Sequence, residues 1–468
     1  MGCSGNNATP PGPAIAPGAD TLDPRRIADA LVQRFGDGGV DPRLTAIVPG
    51  FDGPFFQAGL AGYSDAAMRL IARRHGCPFC VTEALLDRTL LAGGRGFAKA
   101  DLGELEDNIP GGDDDHPLAG QIMGSDPREM ATAALKMVEQ GTRADREYRS
   151  LAYPDGVLPT GHLRGPGGEQ IRKLESQSTN LKSQSAGLGV DAGADVRGVG
   201  GGAAFAQADA STFEVIDVNL ACPVKKIDRK ARGGHWLAEP AGAIAILTAV
   251  REAVPAHVHC TVKMRRAYDD SPEMAANFDQ ILNAAFDMGY AWATVHARTV
   301  EQKYIGPSRW DVLRDIVQRR PGRLIFGSGD VWEVADIFRM LAYTGVTAVS
   351  VARGCIGNPW IFRQARDMLA SREPAPPTVD EQRRVLLEHF DLALAANHRM
   401  RRAEEFTSRT MRKFGIRFAQ HHPEAEAVRR RMIAVSSLAD WRRVVGEMYG
   451  DRVGATRSFA DTSLRSGH

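Results

Sequence analysis

The residues best suited to chemistry sit in short polar clusters that follow apolar runs. The sharpest cluster is Asn219-Leu220-Ala221-Cys222-Pro223, where a thiol is followed by a proline that blocks simple continuation into a helix. Lys225, Lys226, Arg229, Lys230 and Arg232 come next, and Gly233-Gly234 closes the segment. A free cysteine is more often buried and inert. On a polar, glycine-containing loop Cys222 is expected to be exposed, and nearby cations lower a thiol's pKa and ease proton exchange. The basic run reads either as a solvated loop or as a grip on an RNA backbone.

Four further clusters have the same form. In Val262-Lys263-Met264-Arg265 a lysine lies inside an apolar run, where an unpaired ammonium is costly. It either makes a structural salt bridge or meets the electron-rich edge of a cofactor ring and stabilises its reduced anion. His296, with Arg298 two positions on, reads as a ligand contact at a strand end. Gly327-Ser328-Gly329-Asp330 and Val351-Ala352-Arg353-Gly354 are phosphate-loop candidates, because small residues let backbone N–H groups approach an anion and a helix is expected to follow directly. Gln121 closes another apolar run.

These clusters need a scaffold that brings them together. Eight strands are expected, at Phe55–Ala61, Phe79–Glu83, Leu118–Met123, Val215–Asn219, His257–Met264, Trp292–His296, Leu324–Gly327 and Ala348–Val351. Amphipathic stretches alternate with them, and Ala84–Leu91 supplies the remaining helix. Short Val- and Ile-rich strands without strict alternation imply burial on both faces. Strict strand–helix alternation implies parallel strands with right-handed crossovers. The expected class is therefore α/β, a closed (β/α)8 TIM barrel, whose chemistry lies at the C-terminal ends of the strands and whose phosphate site follows strands seven and eight. An open doubly wound sheet would want GxGxxG after its first strand, and none is there.

The expected organisation is a leader and extension over 1–50, the catalytic barrel over 51–371, a helical domain over 378–450 and a tail over 451–468. Met1–Ala19 lacks the basic start and apolar core of a signal peptide and reads as a disordered leader. The Gly-, Ala-, Ser- and Gln-rich stretch 142–212 breaks the barrel rhythm and reads as a disordered insertion before strand four. No run is long and apolar enough to span a membrane, and the six scattered cysteines point to a reducing, cytoplasmic setting. Cys77-Pro78-Phe79-Cys80 has no second ligand pair at zinc spacing, so buried structural cysteines and no metal are expected. A monomer is expected. Between Arg399 and Arg431 ten Arg or Lys face four Glu, in a chain whose net charge is only +1. That local excess suggests an anionic partner held by one face.

Taken together the segments resemble the tRNA-dihydrouridine synthase family, and its bacterial B-type branch most closely. The residues that carry the likeness are Ala58–Asp65, Gln121–Pro127, Asp217–Lys226 with its Asp-Val-Asn-Leu-Ala-Cys-Pro, Val262–Arg265, His296–Thr299, and Arg353 with Gly357–Trp360. The resemblance implies FMN at the barrel mouth, NADPH as reductant, and hydride delivery to C6 of a tRNA uracil while Cys222 protonates C5. It implies that Gln121 and Lys263 contact the flavin ring, with Gly59, Leu60 and Ala61 beside it. His296, Ser328, Gly329, Asp330, Ala352 and Arg353 would serve its phosphate region. Asn219 and Arg298 would read the base, with Lys225 and Lys226 on the RNA. Arg412, Lys413, Arg417, Arg429, Arg430 and Arg431 would meet tRNA phosphates. Three departures stand out: Gly59-Leu60 replaces the family's Pro-Met, implying looser flavin packing, Ser328 replaces an asparagine, and the large insertion directly precedes the catalytic strand. The rival readings are a reductase of free pyrimidines and a tRNA-binding relative that has lost its flavin.

Overall fold

Runs such as Leu118–Met123 and Val215–Leu220 are buried at every position, which a strand achieves only with cover on both faces. The computed structural model describes residues 18–91, 113–139, 145–154, 213–223, 233–398 and 400–450. Its strands are β1 (Phe55–Gln57), β2 (Cys80–Val81), β3 (Leu85–Leu86), β4 (Leu118–Met123), β5 (Val215–Leu220), β6 (His259–Arg265), β7 (Ala293–His296), β8 (Ile325–Ser328) and β9 (Ala348–Val351). All pair in parallel; β1 bonds to both β2 and β9, and β2 bonds to β4, so the sheet closes into an eight-stranded barrel with β3 outside the ring. The expected TIM barrel is the observed one.

Register decides what faces what. Gln121 is level with Asp217, Asn219 with Lys263, Arg265 with His296, and His296 with Ser328. The polar strand ends thus stand side by side at the C-terminal rim. The opposite end is plugged by the segment before β1: Val40, Leu44, Val48 and Phe51 pack on Phe56, Phe79, Trp292 and Phe326. Phe51 stacks on Phe79 with centroids 4.7 Å apart. Each such buried side chain stabilises the fold by roughly 1.5–3 kcal/mol.

Helix starts follow side-chain chemistry. Asp126 accepts from the N–H groups of Arg128 and Glu129 ahead of Pro127, and Thr378 with Glu381 forms a reciprocal capping box. Ser437 accepts from Asp440 N–H to open Leu438–Tyr449.

Three local expectations change. The segment Ala84–Leu91 begins as β3, paired with Ile122 and Met123, so its helix is only Asp87–Leu91. After β9 no long helix follows directly. A short turn, Arg353–Cys355, intervenes, with Gly354 packed tightly against Val331 and Trp332, and the helix starts at Trp360. The insertion expected over 142–212 opens with a helix, Asp145–Ala152, whose Tyr148 and Ala152 bury beside Leu91; 155–212 lies outside the described residues, as do the leader 1–17 and the tail 451–468.

Beyond the barrel come the helices Val379–Ala396, Ala403–Phe418, Ala425–Ile433 and Leu438–Tyr449. Their core runs without a break into the barrel's outer layer. Trp360 meets Phe418 edge to face, centroids 5.4 Å apart.

Candidate active site

Cys222 stands just past β5 and is half-buried. The residue before it is held on both sides: Ala221 N–H donates to Asn219 Oδ1 at 2.9 Å, and Ala221 C=O accepts from Arg265 Nε at 3.0 Å. Gly234 N–H donates to the Cys222 carbonyl at 3.1 Å. Gly233 has φ +56, and a side chain there would crowd Cys222 Cβ and Met123. The loop between, with Lys225 and Lys226, lies outside the described residues.

Beneath the thiol runs a buried chain of polar groups. Thr261 Oγ1 donates to Asp217 Oδ1 at 2.7 Å, and Gln121 Nε2 donates to Asp217 Oδ2 at 2.7 Å. Asn219 Nδ2 donates to Gln121 Oε1, also at 2.7 Å. Burial raises the Asp217 carboxyl, opposed by Thr261, Gln121 and Lys263. The ammonium of Lys263 lies close enough to Cys222 and Asp217 to feel both charges, but burial, reinforced by Arg265, pushes its pKa down to about 8. The salt bridge offered as its alternative role is not formed at bonding distance among the described residues. Gly59, Gln121, Asp217, Thr261 and Lys263 line one cavity inside the barrel. At Gly59 a Cβ would overlap the Thr82 carbonyl oxygen, so only glycine lets the end of β1 approach β2 this closely. Leu60 is half-buried and Ala61 is exposed at the rim.

The second half of the rim is cationic. Arg298 Nη2 donates to both oxygens of Asp330, at 2.8 and 2.7 Å, and Ser308 N–H donates to Asp330 Oδ2 at 2.8 Å. Arg353 approaches the same carboxylate at 3.7 Å. One acid thus organises two arginines. Asp330 itself has φ +55 and Gly329 φ +119, and a Cβ on Gly329 would overlap Ser308 Oγ. Arg298 Nη1 and Ser308 Oγ are buried with no hydrogen-bond partner among the described residues. His296 is held well below its usual pKa by burial first, then by Arg265, Lys263, Arg298 and Arg353, and is a neutral imidazole. Ser328 is buried and Ala352 half-buried beside it. Arg353 lies over Trp332 at 4.5 Å and over Tyr304 at 5.3 Å. Tyr304 and Ile305 are 58% and 77% exposed, a large apolar surface at the mouth.

Of the six basic residues expected to face an anion, two lack an ion pair among the described residues and have no hydrogen bond there either: Arg417 and Arg430. Arg417 lies against Gly357, and its charge adds a little to the burial and the Arg298 charge that lower the Arg353 pKa. Arg412 donates to Ile433 C=O at 3.4 Å, and Arg429 pairs with Glu426 and Arg431 with Glu447. Lys413 turns inward, bonding to Gly62 C=O and lying over Tyr63 at 4.9 Å.

Sequence reasoning brought Cys222, Gln121, Asn219, Lys263, His296, Arg298 and Arg353 to one rim. It gave no role to Arg265, Asp217, Thr261, Ser308, Tyr304 or Trp332. A signal for three of these was present: Asp217 with Asn219, and Thr261 with Lys263 and Arg265, recur every second residue in otherwise apolar strands, so they share one face. Ser308, Tyr304 and Trp332 lie on loops, where no periodicity marks them.

A family model described as Dihydrouridine synthase (Dus) matches residues 200–446. The chain is similar to a "Probable tRNA-dihydrouridine synthase" of Treponema pallidum (strain Nichols), 32% identical over 51% of this chain and 69% of that protein. It is 30% identical to tRNA-dihydrouridine synthase B of Shigella flexneri over 52% and 75% of the two chains. To tRNA-dihydrouridine synthase B of Shewanella oneidensis it is 37% identical over 38% and 53%. The matched stretch thus spans from about half to three quarters of these curated relatives. Among solved structures it is similar to that titled "Crystal structure of TcOYE with pHBA", with a TM-score of 0.38 and 13% identity over 69% of this chain and 91% of that one, a likeness too slight to bear on function.

Proposed function

The chain belongs to the dihydrouridine synthase family, and on that premise we propose that it reduces uridines of tRNA to 5,6-dihydrouridine, using FMN and NADPH. The observation that carries this reading is a thiol clamped through its neighbouring peptides at the same barrel rim as a half-buried lysine and an arginine-rich, glycine-lined corner.

The residues present fit the cofactor. Its phosphate end needs donors and positive charge: the corner has Arg298 Nη1 and Ser308 Oγ, unpartnered among the described residues, Arg353, and a Gly329 cradle that a Cβ would fill. His296, Ser328, Gly329, Ala352 and Arg353 would hold that end, with Asp330 fixing the arginines. Gln121 and Lys263 would hold the ring, and Gly59, Leu60 and Ala61 would flank it. When bound, FMN supplies the hydride taken up at C6 of the uracil and is recharged by NADPH.

The chain's own residues do the rest. Cys222 Sγ gives its proton to C5 on the opposite side of the former double bond, and the thiolate left behind is stabilised by Lys263 and Arg265. Lys263 would place positive charge at the electron-rich edge of the flavin ring and so favour its reduced anion. Asn219 keeps one Nδ2 hydrogen beyond its bond to Gln121, and that donor, with Arg298, would read the base edge. The base must leave its stack to reach this depth. Arg417 and Arg430 would meet the tRNA backbone.

The test is dihydrouridine formation on tRNA transcripts with FMN and NADPH. Cys222→Ala should keep the flavin spectrum and tRNA binding and lose roughly 10²–10⁴-fold in rate. Unchanged turnover in that variant, or wild-type reduction of free uracil in preference to tRNA, would overturn the reading.

A further inference from the structure

The amide chain under Cys222 has a direction, and something must set it. A neutral amide can turn over and exchange its donor and acceptor ends, whereas an ionised carboxylate can only accept. We propose that Asp217 is a positioning residue whose carboxylate orients Gln121 and Asn219 in turn, and so fixes the peptide that presents Cys222. The proposal deepens the reading above, on which it rests for the purpose of the thiol.

The geometry runs one way only. Asp217 sits on β5, is 5% exposed, and accepts from Thr261 at Oδ1 and from Gln121 at Oδ2. Gln121 must therefore turn its NH2 toward Asp217 and its oxygen toward Asn219, two residues further along β5. Asn219 must then turn its NH2 toward Gln121, and only its oxygen is left to receive Ala221 N–H. The backbone of Gln121 is anchored separately, its N–H donating to Thr82 Oγ1 at 2.9 Å, so the side chain cannot escape by sliding. If Gln121 turned over, Asn219 would have to follow and would aim an N–H at the N–H of Ala221. Ala221 would then be held only at its carbonyl, by Arg265.

The chain suggests a swap that separates direction from mere packing. Gln121→Glu sets two carboxylates face to face in the barrel and should break the relay. Adding Asp217→Asn restores it. The new amide on β5 then donates to the new carboxylate on β4, whose second oxygen still accepts from Asn219, and the negative charge has moved one strand along. Asp217→Asn alone should be mild, because the new amide can accept from Gln121 while Thr261 rotates to accept from it.

The experiment is backbone hydrogen exchange at Ala221 by mass spectrometry, with iodoacetamide alkylation of the Cys222 peptide alongside, neither of which needs turnover. Gln121→Glu should speed both by roughly five- to tenfold, the factor for losing one hydrogen bond. The double variant should return both to within about twofold of wild type. If Gln121→Glu does not fold, Asp217→Leu removes the acceptor and should speed exchange equally. Unchanged exchange in the broken relay, or a double variant no better than Gln121→Glu, would overturn the proposal. Loss of activity toward tRNA with the exchange pattern intact would instead count against the reading of function and leave the relay standing.

Discussion

At Lys263 the cost of burial and the usefulness of charge pull against each other. Its pKa falls from 10.5 to about 8, chiefly through burial. Between those values the unfolded chain binds a proton that the folded chain does not, so stability rises with pH across that window, while below about 8 the folded state carries the full burial cost. Urea midpoints of wild type and Lys263→Met should therefore diverge in favour of wild type from pH 7 to pH 10, about the span of that window. A constant difference would show that the ammonium is not strained. Under the proposed function the ammonium is needed, so turnover should decline above about pH 8, and Lys263→Arg, which keeps its charge, should remove the decline whatever its residual rate. His296 is already neutral and contributes no limb near neutrality.

Among the elements, two loops at the rim are held in shape by their neighbours. Gly59 is required by the Thr82 carbonyl, so Gly59→Ala must move β1 away from β2. A loss of about 1–3 kcal/mol in urea unfolding is expected, the usual range for overpacking; an unaffected midpoint would mean that the strand end shifts freely. The loop after β8 keeps a left-handed Asp330 although glycine would fit more easily, because its carboxylate gathers Arg298, Arg353 and Ser308 N–H. Asp330→Ala leaves Arg298, 3% exposed, without its counter-charge. That should cost about 3–5 kcal/mol, and added phosphate should recover part of it if the corner binds that anion. Failure of phosphate to protect the variant would count against an anion site there.

For the molecule as a whole, the apolar core joins barrel and C-terminal helices, and Trp360 is wedged between Phe418 and His421. Removing the helices would strip this surface, so their role is better tested by single charges. Arg417→Ala and Arg430→Ala should each weaken tRNA binding almost uniformly across sequences and reduce the salt slope by about one. Arg429→Ala, already paired with Glu426, should change little. If all three behave alike, the basic excess acts only as a diffuse field. Among the described residues no helix is long and apolar enough to cross a membrane.

How much was legible in the sequence follows from the range of each interaction. Strand positions, the caps at Asp126, Thr378 and Ser437, and the polar residues at the strand ends are local: they depend on alternation, on side chains reaching their own backbone, and on which residue follows an apolar run. The chain alone therefore determined the barrel and the candidates Cys222, Lys263, His296 and Arg353. It did not determine their partners. Asp330 meets Arg298 across 32 residues, Gln121 meets Asp217 across 96, and the Phe51 plug meets Trp292 through the barrel axis. Such contacts exist only once the ring closes and register sets Gln121 against Asp217 and Asn219 against Lys263. Closure turned isolated polar residues into one directed network, because hydrogen bonds and buried charges are fixed by distance in space, which order along the chain does not encode.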